Sequence, residues 1–522
     1  MIKKYGQFLL IVLLIGWAFD LLFWKLDIGV NFVLFVVLCL LGGHLILLSN
    51  GIKPARRSLW LLLPIMFFLV ITFVRREQLT IFLAYLFTLL SLALYVFSYL
   101  GGRWMAFTLP DYFYEFFRLI KSIFTAPIKL GLLYRAEQQE AANKKKFPLG
   151  AVLRGLVFAV PILLIFIALL SSADVVFDQK VTNLFEDFSG EDLLENVVRL
   201  MLVGWTAFWV SGVILHAAKK SQEKPLLGED KPFIEQKLGF VEASVILGSV
   251  VVLFSTFVII QFQYLFGGEV NIGVEGYTYS QYARKGFSEL IWVAFISLLL
   301  ILGLNMLTKR QGRMEKWVYS GLCSGVVLLV LVILASAFQR LRLGIDWHGY
   351  SRLRLYPSLF LFWLGLLLIV AIILEMVKRD RYVTFAALLA SFGFGATLIF
   401  FNVDASIVHH NVLRPEQGKH FNVTHLTSLS LDAVPSLVEE FQNPDLDEET
   451  HEGIGAAILC YQYSEALREY DQDEWRVFNY SSWKAGEAIG QIVEELDDYT
   501  IKLNKNPMRV HTPDGTPYNC DK

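Results

Sequence analysis

The chain has 522 residues, 55% hydrophobic, 14% aromatic and only 18% charged, with a mean hydropathy of +0.52. Soluble domains carry roughly 25% charge, and here the apolar residues come in long blocks, so a large soluble globular fold is excluded in favour of a membrane protein. The net charge of −2 hides an asymmetry: residues 402–522 hold 9 Lys/Arg and 22 Asp/Glu, while residues 1–401 hold 37 and 26. That split places a domain boundary near Asn402, and an acidic exposed domain argues against nucleic acid as a partner.

Lys3 and Lys4 precede an apolar run at 8–24 with no small-x-small cleavage site after it. It reads as an uncleaved first span with its N-terminus inside. Further runs follow at 28–48, 58–74, 79–100, 151–171, 197–217, 241–265, 287–307, 316–337, 357–377 and 383–401. Each is long enough to cross about 30 Å of hydrocarbon as a helix. A helix is required because lipid offers backbone groups no partners. The expectation is an all-α polytopic membrane protein of about eleven spans.

One set of alternate connections carries 26 Lys/Arg and the other 11. The positive-inside rule then puts the N-terminus in the cytoplasm and the acidic tail outside. On the inner side, Phe113, Phe116, Phe117, Ile120, Ile123 and Phe124 recur at helical spacing after Pro110 and Asp111. This predicts a helix near 111–125 lying in the membrane interface. The triplet Lys144, Lys145 and Lys146 either contacts anionic head groups or only enforces topology. On the outer side, the loop from Ser171 to Asn196 is acidic, and Phe266–Gly286 is glycine-rich. The tail reads as short amphipathic helices followed by about 20 irregular residues with Pro507, Pro513, Gly515 and Pro517. Cys460 and Cys520 can pair if the tail is outside, although sequence does not show their proximity.

The most unusual stretch is 335–356, expected as a short outer loop between two spans. It carries Arg340, Arg342, Arg352 and Arg354, with Asp346 and His348 between them. Guanidinium forks match phosphate and carboxylate, so the cluster is a candidate site for an anionic lipid head group or a lipid-linked glycan. The competing reading is that these arginines snorkel or pair with the acidic tail. Asp174, Arg284 and Glu289 join Asp346 and His348 as candidate polar partners at the same face. Asp20, His44, His216, Glu242, Glu289 and Glu375 are ionisable groups in or near spans. Such residues are functional candidates by default, though most sit near span ends, where the cost of charge falls. For Glu289 a helical pair with Arg284 or Lys285 is favoured over proton coupling. His409, His410, His420 and His425 show no metal-ligand spacing, so no metal and no cofactor is expected. No nucleotide-binding or nucleophile-elbow motif occurs.

Several segments carry a family resemblance: LLSSADVVF at 169–177, YTYSQYARKGFSEL at 277–290, SAFQRLRLGIDWHGYSRLRLY at 336–356, NVDASIVHHNVLR at 402–414, LTSLSLDAVPSLV at 426–438 and EWRVFNYSSWKA at 474–485. Together they resemble the bacterial membrane proteins grouped as domain of unknown function 4173, related to domain of unknown function 4153. The resemblance implies a bacterial inner-membrane location and carries no established activity. All six segments fall at outer helix ends, in outer loops or in the tail, so a shared site is expected at the outer face. Three function classes remain. A non-catalytic envelope sensor or scaffold, with a protein partner for its tail, ranks first because no catalytic motif appears. A carrier of an anionic solute or lipid and a membrane-embedded enzyme on lipid-linked substrates are the alternatives.

Overall fold

The structure is a computed structural model that describes residues 4–141, 169–187, 191–219, 236–266, 287–310, 312–412, 423–464, 474–502 and 508–520 continuously, and scattered positions within 155–167 and at Ser221 and Leu226. The long helices are α1 (Tyr5–Phe23), α2 (Val30–Ser49), α3 (Leu62–Val74), α4 (Gln78–Ser98), α5 (Leu109–Ala141), α6 (Val175–Asp187), α7 (Glu191–Lys219), α8 (Phe240–Phe266), α9 (Phe287–Leu307), α10 (Arg313–His348), α11 (Arg352–Met376) and α12 (Val383–Phe401). Ten helices among the described residues are long and apolar enough to cross a membrane. The expected span at 151–171 lies mostly outside the described residues. The chain is an all-α polytopic membrane protein.

Two apolar cores divide the bundle. One gathers Phe8, Ile46, Leu61, Leu94 and Ile214 from α1, α2, the α3 entrance, α4 and α7. The other gathers Leu247, Leu298, Val326, Val330 and Leu368 from α8 to α11. Helix α12 is the seam, with Leu388 in the first core and Ala390 in the second. Small residues let helices close up where lipid supplies no hydrophobic drive. A Cβ on Gly16 would lie 2.3 Å from the Val203 carbonyl oxygen, so α1 and α7 approach backbone to backbone there. Gly16→Val is therefore expected to destabilise the purified chain by about 1–3 kcal/mol, the usual cost of overpacking. Thermal unfolding in detergent reads it, and an unchanged melting temperature would mean that α1 packs elsewhere.

Hydrogen bonds define two faces of the bundle. At one, Ser58 Oγ donates to the Ser98 carbonyl, the Ala55 amide donates to the Tyr99 carbonyl at 2.7 Å, and Arg381 donates to the Ala106 carbonyl at 2.7 Å. This far face also carries α5, which runs beyond the expected 111–125. Phe113, Phe116 and Phe117 point outward, while Asp111 and Ser122 are buried against the bundle. The apolar outer surface suits a helix bathed in lipid, and the inner one also buries Ile123 and Leu130. Lys144–Lys146 lie outside the described residues.

The opposite, tail face is formed by the α1–α2, α3–α4 and α10–α11 connections, the start of α7 and the end of α12. Here one expectation is corrected. Residues 335–348 are not loop, because α10 continues to His348 and only Gly349–Ser351 are non-helical. The apolar run ends near Ala337, but Gln339, Arg340, Leu341 and Arg342 are all good helix formers. Hydropathy marks the edge of the lipid, not the end of the helix.

The C-terminal residues pack on this face through α13 (Val403–Val412), α14 (Val434–Phe441), α15 (Glu448–Gln462) and α16 (Tyr480–Gly490). Their core includes Ile407, Val434, Leu437, Ile454, Ile458 and Ile492, and Leu79, Tyr350, Tyr356 and Phe394 of the spans pack against it. The end of the chain is not irregular as expected. It forms a small antiparallel sheet of β1 (Thr500–Lys502), β2 (Arg509–His511) and β3 (Pro517–Asn519), with Val510 opposite both Ile501 and Tyr518. Cys460 and Cys520 are joined by a disulfide.

Candidate functional site: the junction of tail and helix ends

The ionisable groups in the spans are held by neighbours. Asp20, 4% exposed, receives both Arg199 nitrogens of a guanidinium fork at 2.8–3.1 Å. His44 Nδ1 lies 3.1 Å from the Tyr95 hydroxyl. Glu242 accepts from the Gly239 amide, which makes it a helix-start cap. Glu375 accepts from Arg310, Asn305 and Ser320 at 3.0–3.2 Å. His216 is fully buried with its ring 3.9 Å from Glu115.

The densest polar construction is at the tail face. Asp404, in the first turn of α13, has no exposed surface. Arg352, in the first turn of α11, donates to it through Nε at 2.7 Å and Nη2 at 2.5 Å. The Ser430 amide and hydroxyl complete its shell at 2.9 and 2.6 Å. An ionised carboxylate can sit in such a place only when it is paired and hydrogen-bonded.

Beside it, Asp432 Oδ2 accepts the backbone amides of Arg76 and Glu77 at 3.0 and 2.9 Å. Burial pushes the Asp432 carboxyl above its ordinary pKa, and the Ser481 hydroxyl, those amides and the Arg75 charge pull it back. Glu77 caps α4, accepting from the Leu79 and Thr80 amides and from the Thr80 hydroxyl. It also receives the Tyr356 hydroxyl at 2.5 Å. Arg76 Nε donates to Ser482 in α16 at 3.1 Å.

Two further clamps flank this network. Tyr350 and Asn411 exchange hydrogen bonds, amide to Oδ1 at 2.8 Å and Nδ2 to carbonyl at 2.9 Å. Arg476 donates to the Leu21 carbonyl, and the Val30 amide donates to the Phe478 carbonyl. The tail is therefore tied to helix ends from residue 21 to residue 356. Tyr356→Phe removes one hydrogen bond to a charged acceptor. It should lower stability by about 1.5–3 kcal/mol, read as a shift in the thermal unfolding of the purified chain. A neutral result would show Glu77 satisfied by its cap bonds alone.

The expected arginine cluster is divided by this geometry. Arg352 spends its fork on Asp404. Arg354 donates to the Gly349 carbonyl at 2.8 Å and the Ser351 hydroxyl at 3.2 Å. Arg340 and Arg342 lie one or two turns back on α10, Arg340 with a buried Nε and Arg342 exposed. Asp346 and His348 are exposed in the last turns of α10. Asp174 is exposed and caps α6 through the Phe177 amide at 2.8 Å. Glu289 is exposed in the first turn of α9, and Arg284 and Lys285 lie outside the described residues. His409 bonds Glu440 at 2.8 Å and His410 accompanies the Tyr350 ring.

Sequence reasoning missed Glu77, Asp404, Asp432 and Tyr356 as partners. Their signal was present in part. Asp404, Asp432, Arg352 and Tyr356 lie in three of the six segments quoted for the resemblance, and folding brings those segments together.

No curated protein matches the chain, and no solved structure does. A family model described as Domain of unknown function (DUF4153) matches residues 62–440. The matched stretch covers well over half of the 522 residues and contains Arg76, Glu77, Arg352, Tyr356, Asp404 and Asp432. The chain belongs to the family of domain of unknown function 4153.

Proposed function

We propose that the protein is a non-catalytic sensor or scaffold of the bacterial inner membrane, nearer to the group numbered 4173 within this family context. Its N-terminus is cytoplasmic and its tail, a domain from 402 to 522, faces the envelope. The observation that carries this reading is the fully buried Asp404 held by Arg352. It couples the tail to the start of α11, so an event on the tail is felt by the spans. The side is supported by the excess of Lys/Arg in the far-face connections and by the Cys460–Cys520 disulfide. Disulfides persist in oxidising compartments and are rare in the cytosol.

A photo-crosslinking residue placed at Glu494 or Asp498, both exposed on the tail, tests the proposal in living cells. A discrete envelope protein joined to the chain is the expected result. If nothing is captured and the pure chain in proteoliposomes moves an anionic solute or lipid, the carrier reading replaces it. That second reading is favoured by one feature, an apolar cavity of about 380 Å³ between α2, α4 and α7 with His44 in its wall. Consumption of a lipid-linked substrate by the pure chain would instead establish an enzyme.

A further inference from the structure

A second cavity, of about 340 Å³, lies where α3 ends, α12 ends and the tail begins. Arg75, Asn402, Asp432, Ser436, Glu439 and Lys484 are among its walls. It is separate from Arg340, Arg342, Arg352 and Arg354. Its volume is within the range of small-molecule sites.

The charges in this cavity are not equivalent. Asp432 is buried and has already given Oδ2 to two backbone amides. Glu439 is exposed at the rim, where water screens it. Arg75 donates one Nη2 bond to the Ile399 carbonyl at 2.7 Å, and its Nε is buried with no hydrogen-bond partner among the described residues. A buried guanidinium N–H without an acceptor is uncommon and calls for a group to fill it. Lys484 stands exposed at the mouth. Two cationic donors thus meet at one opening, one of them unsatisfied. Arginine with lysine is the donor set that suits phosphate oxygens.

The position narrows the source of the phosphate. Val74 and Asn402 end membrane-crossing helices, so the cavity is level with the lipid head groups. Phe400 and Phe401, two residues and one residue before Asn402, are 76% and 63% exposed and face surroundings that must be apolar. Tyr480 and Trp483 are exposed on α16 beside the mouth, the ring types that settle at a membrane–water interface.

We propose that this cavity binds a phosphate group, carried by a membrane phospholipid whose chains lie along Phe400 and Phe401. The test uses the full chain in nanodiscs of phosphatidylcholine and phosphatidylglycerol, with retained phospholipid counted by native mass spectrometry. Ser436→Phe fills the cavity without removing a cation, and Lys484→Gln removes the rim charge without touching a buried group. A parallel arm titrates delipidated chain in a phosphate-free detergent with inorganic phosphate. The expected result is retained phospholipid that falls about tenfold in occupancy with Lys484→Gln, matching the loss of one charge-assisted contact, and at least as far with Ser436→Phe, which blocks the space. Phosphate binding in the detergent arm, lost in both variants while lipid retention is unchanged, would keep the phosphate site and overturn the lipid source. Equal lipid retention in all three chains, with no inorganic phosphate bound, overturns the proposal.

Discussion

Arg352→Ala is expected to lower the stability of the chain by about 3–5 kcal/mol, because it leaves a carboxylate buried and unpaired. Asp404 has no exposed surface, and among the described residues its other hydrogen-bond donors are the Ser430 amide and hydroxyl. Neither carries the charge that balances it. The loss should appear as a lower melting temperature and as faster proteolytic release of the tail from the spans. Adding Asp404→Asn should return at least half of the lost stability, since asparagine is neutral yet still accepts from Ser430. If the two losses simply add, the pair is not the coupled unit described above. An Arg352 that mainly bound an external anion would behave differently: its removal would cost retention of that ligand and little stability.

Breaking the disulfide has an effect of similar size by another route. Cys460 and Cys520 are 60 residues apart in sequence. Chain-entropy reasoning for a closed loop of that length gives about 4 kcal/mol of stabilisation, through constraint of the unfolded tail. Both residues belong to the tail core, at 5% and 3% exposure. Cys460→Ser, or reduction of the wild type, should therefore lower the unfolding temperature of the tail and expose β3 to protease. The far-face contacts, such as Arg381 with Ala106, should be untouched. Free thiols at both positions in chain purified without reductant would contradict the pairing.

The membrane architecture was legible because its physics is local. A run of apolar residues long enough to cross lipid has one stable conformation, so each run reads directly as a helix. The α10 end was misread for the same reason: hydropathy sees solvent, while Gln339 to Arg342 keep the helix going in water. The strands at 500–502, 509–511 and 517–519 are three residues each, too short to show an alternating pattern. The junction was hidden by distance along the chain. Arg352 was visible as an arginine at an unusual place, and pairing with the acidic tail was one of its two readings. Nothing local in the sequence selects Asp404, 52 residues on, from 22 acidic residues in the tail. Glu77 is a helix-start residue, and nothing local in the sequence shows that Tyr356 reaches it.

The junction also dictates an order of events during synthesis. The Glu77 amide bonds to Asp432, 355 residues later in the chain. At about 5–20 residues per second, the ribosome delivers that partner roughly 20–70 seconds after Glu77 itself. Throughout that interval the Arg76 and Glu77 amides at the tail face of the α3–α4 hairpin lack their Asp432 acceptor. Nascent chains stalled or truncated before Asp432 must therefore be recognisably unfinished at one membrane surface. The tail face is closed by residues that follow α12, and not by insertion of α12 itself.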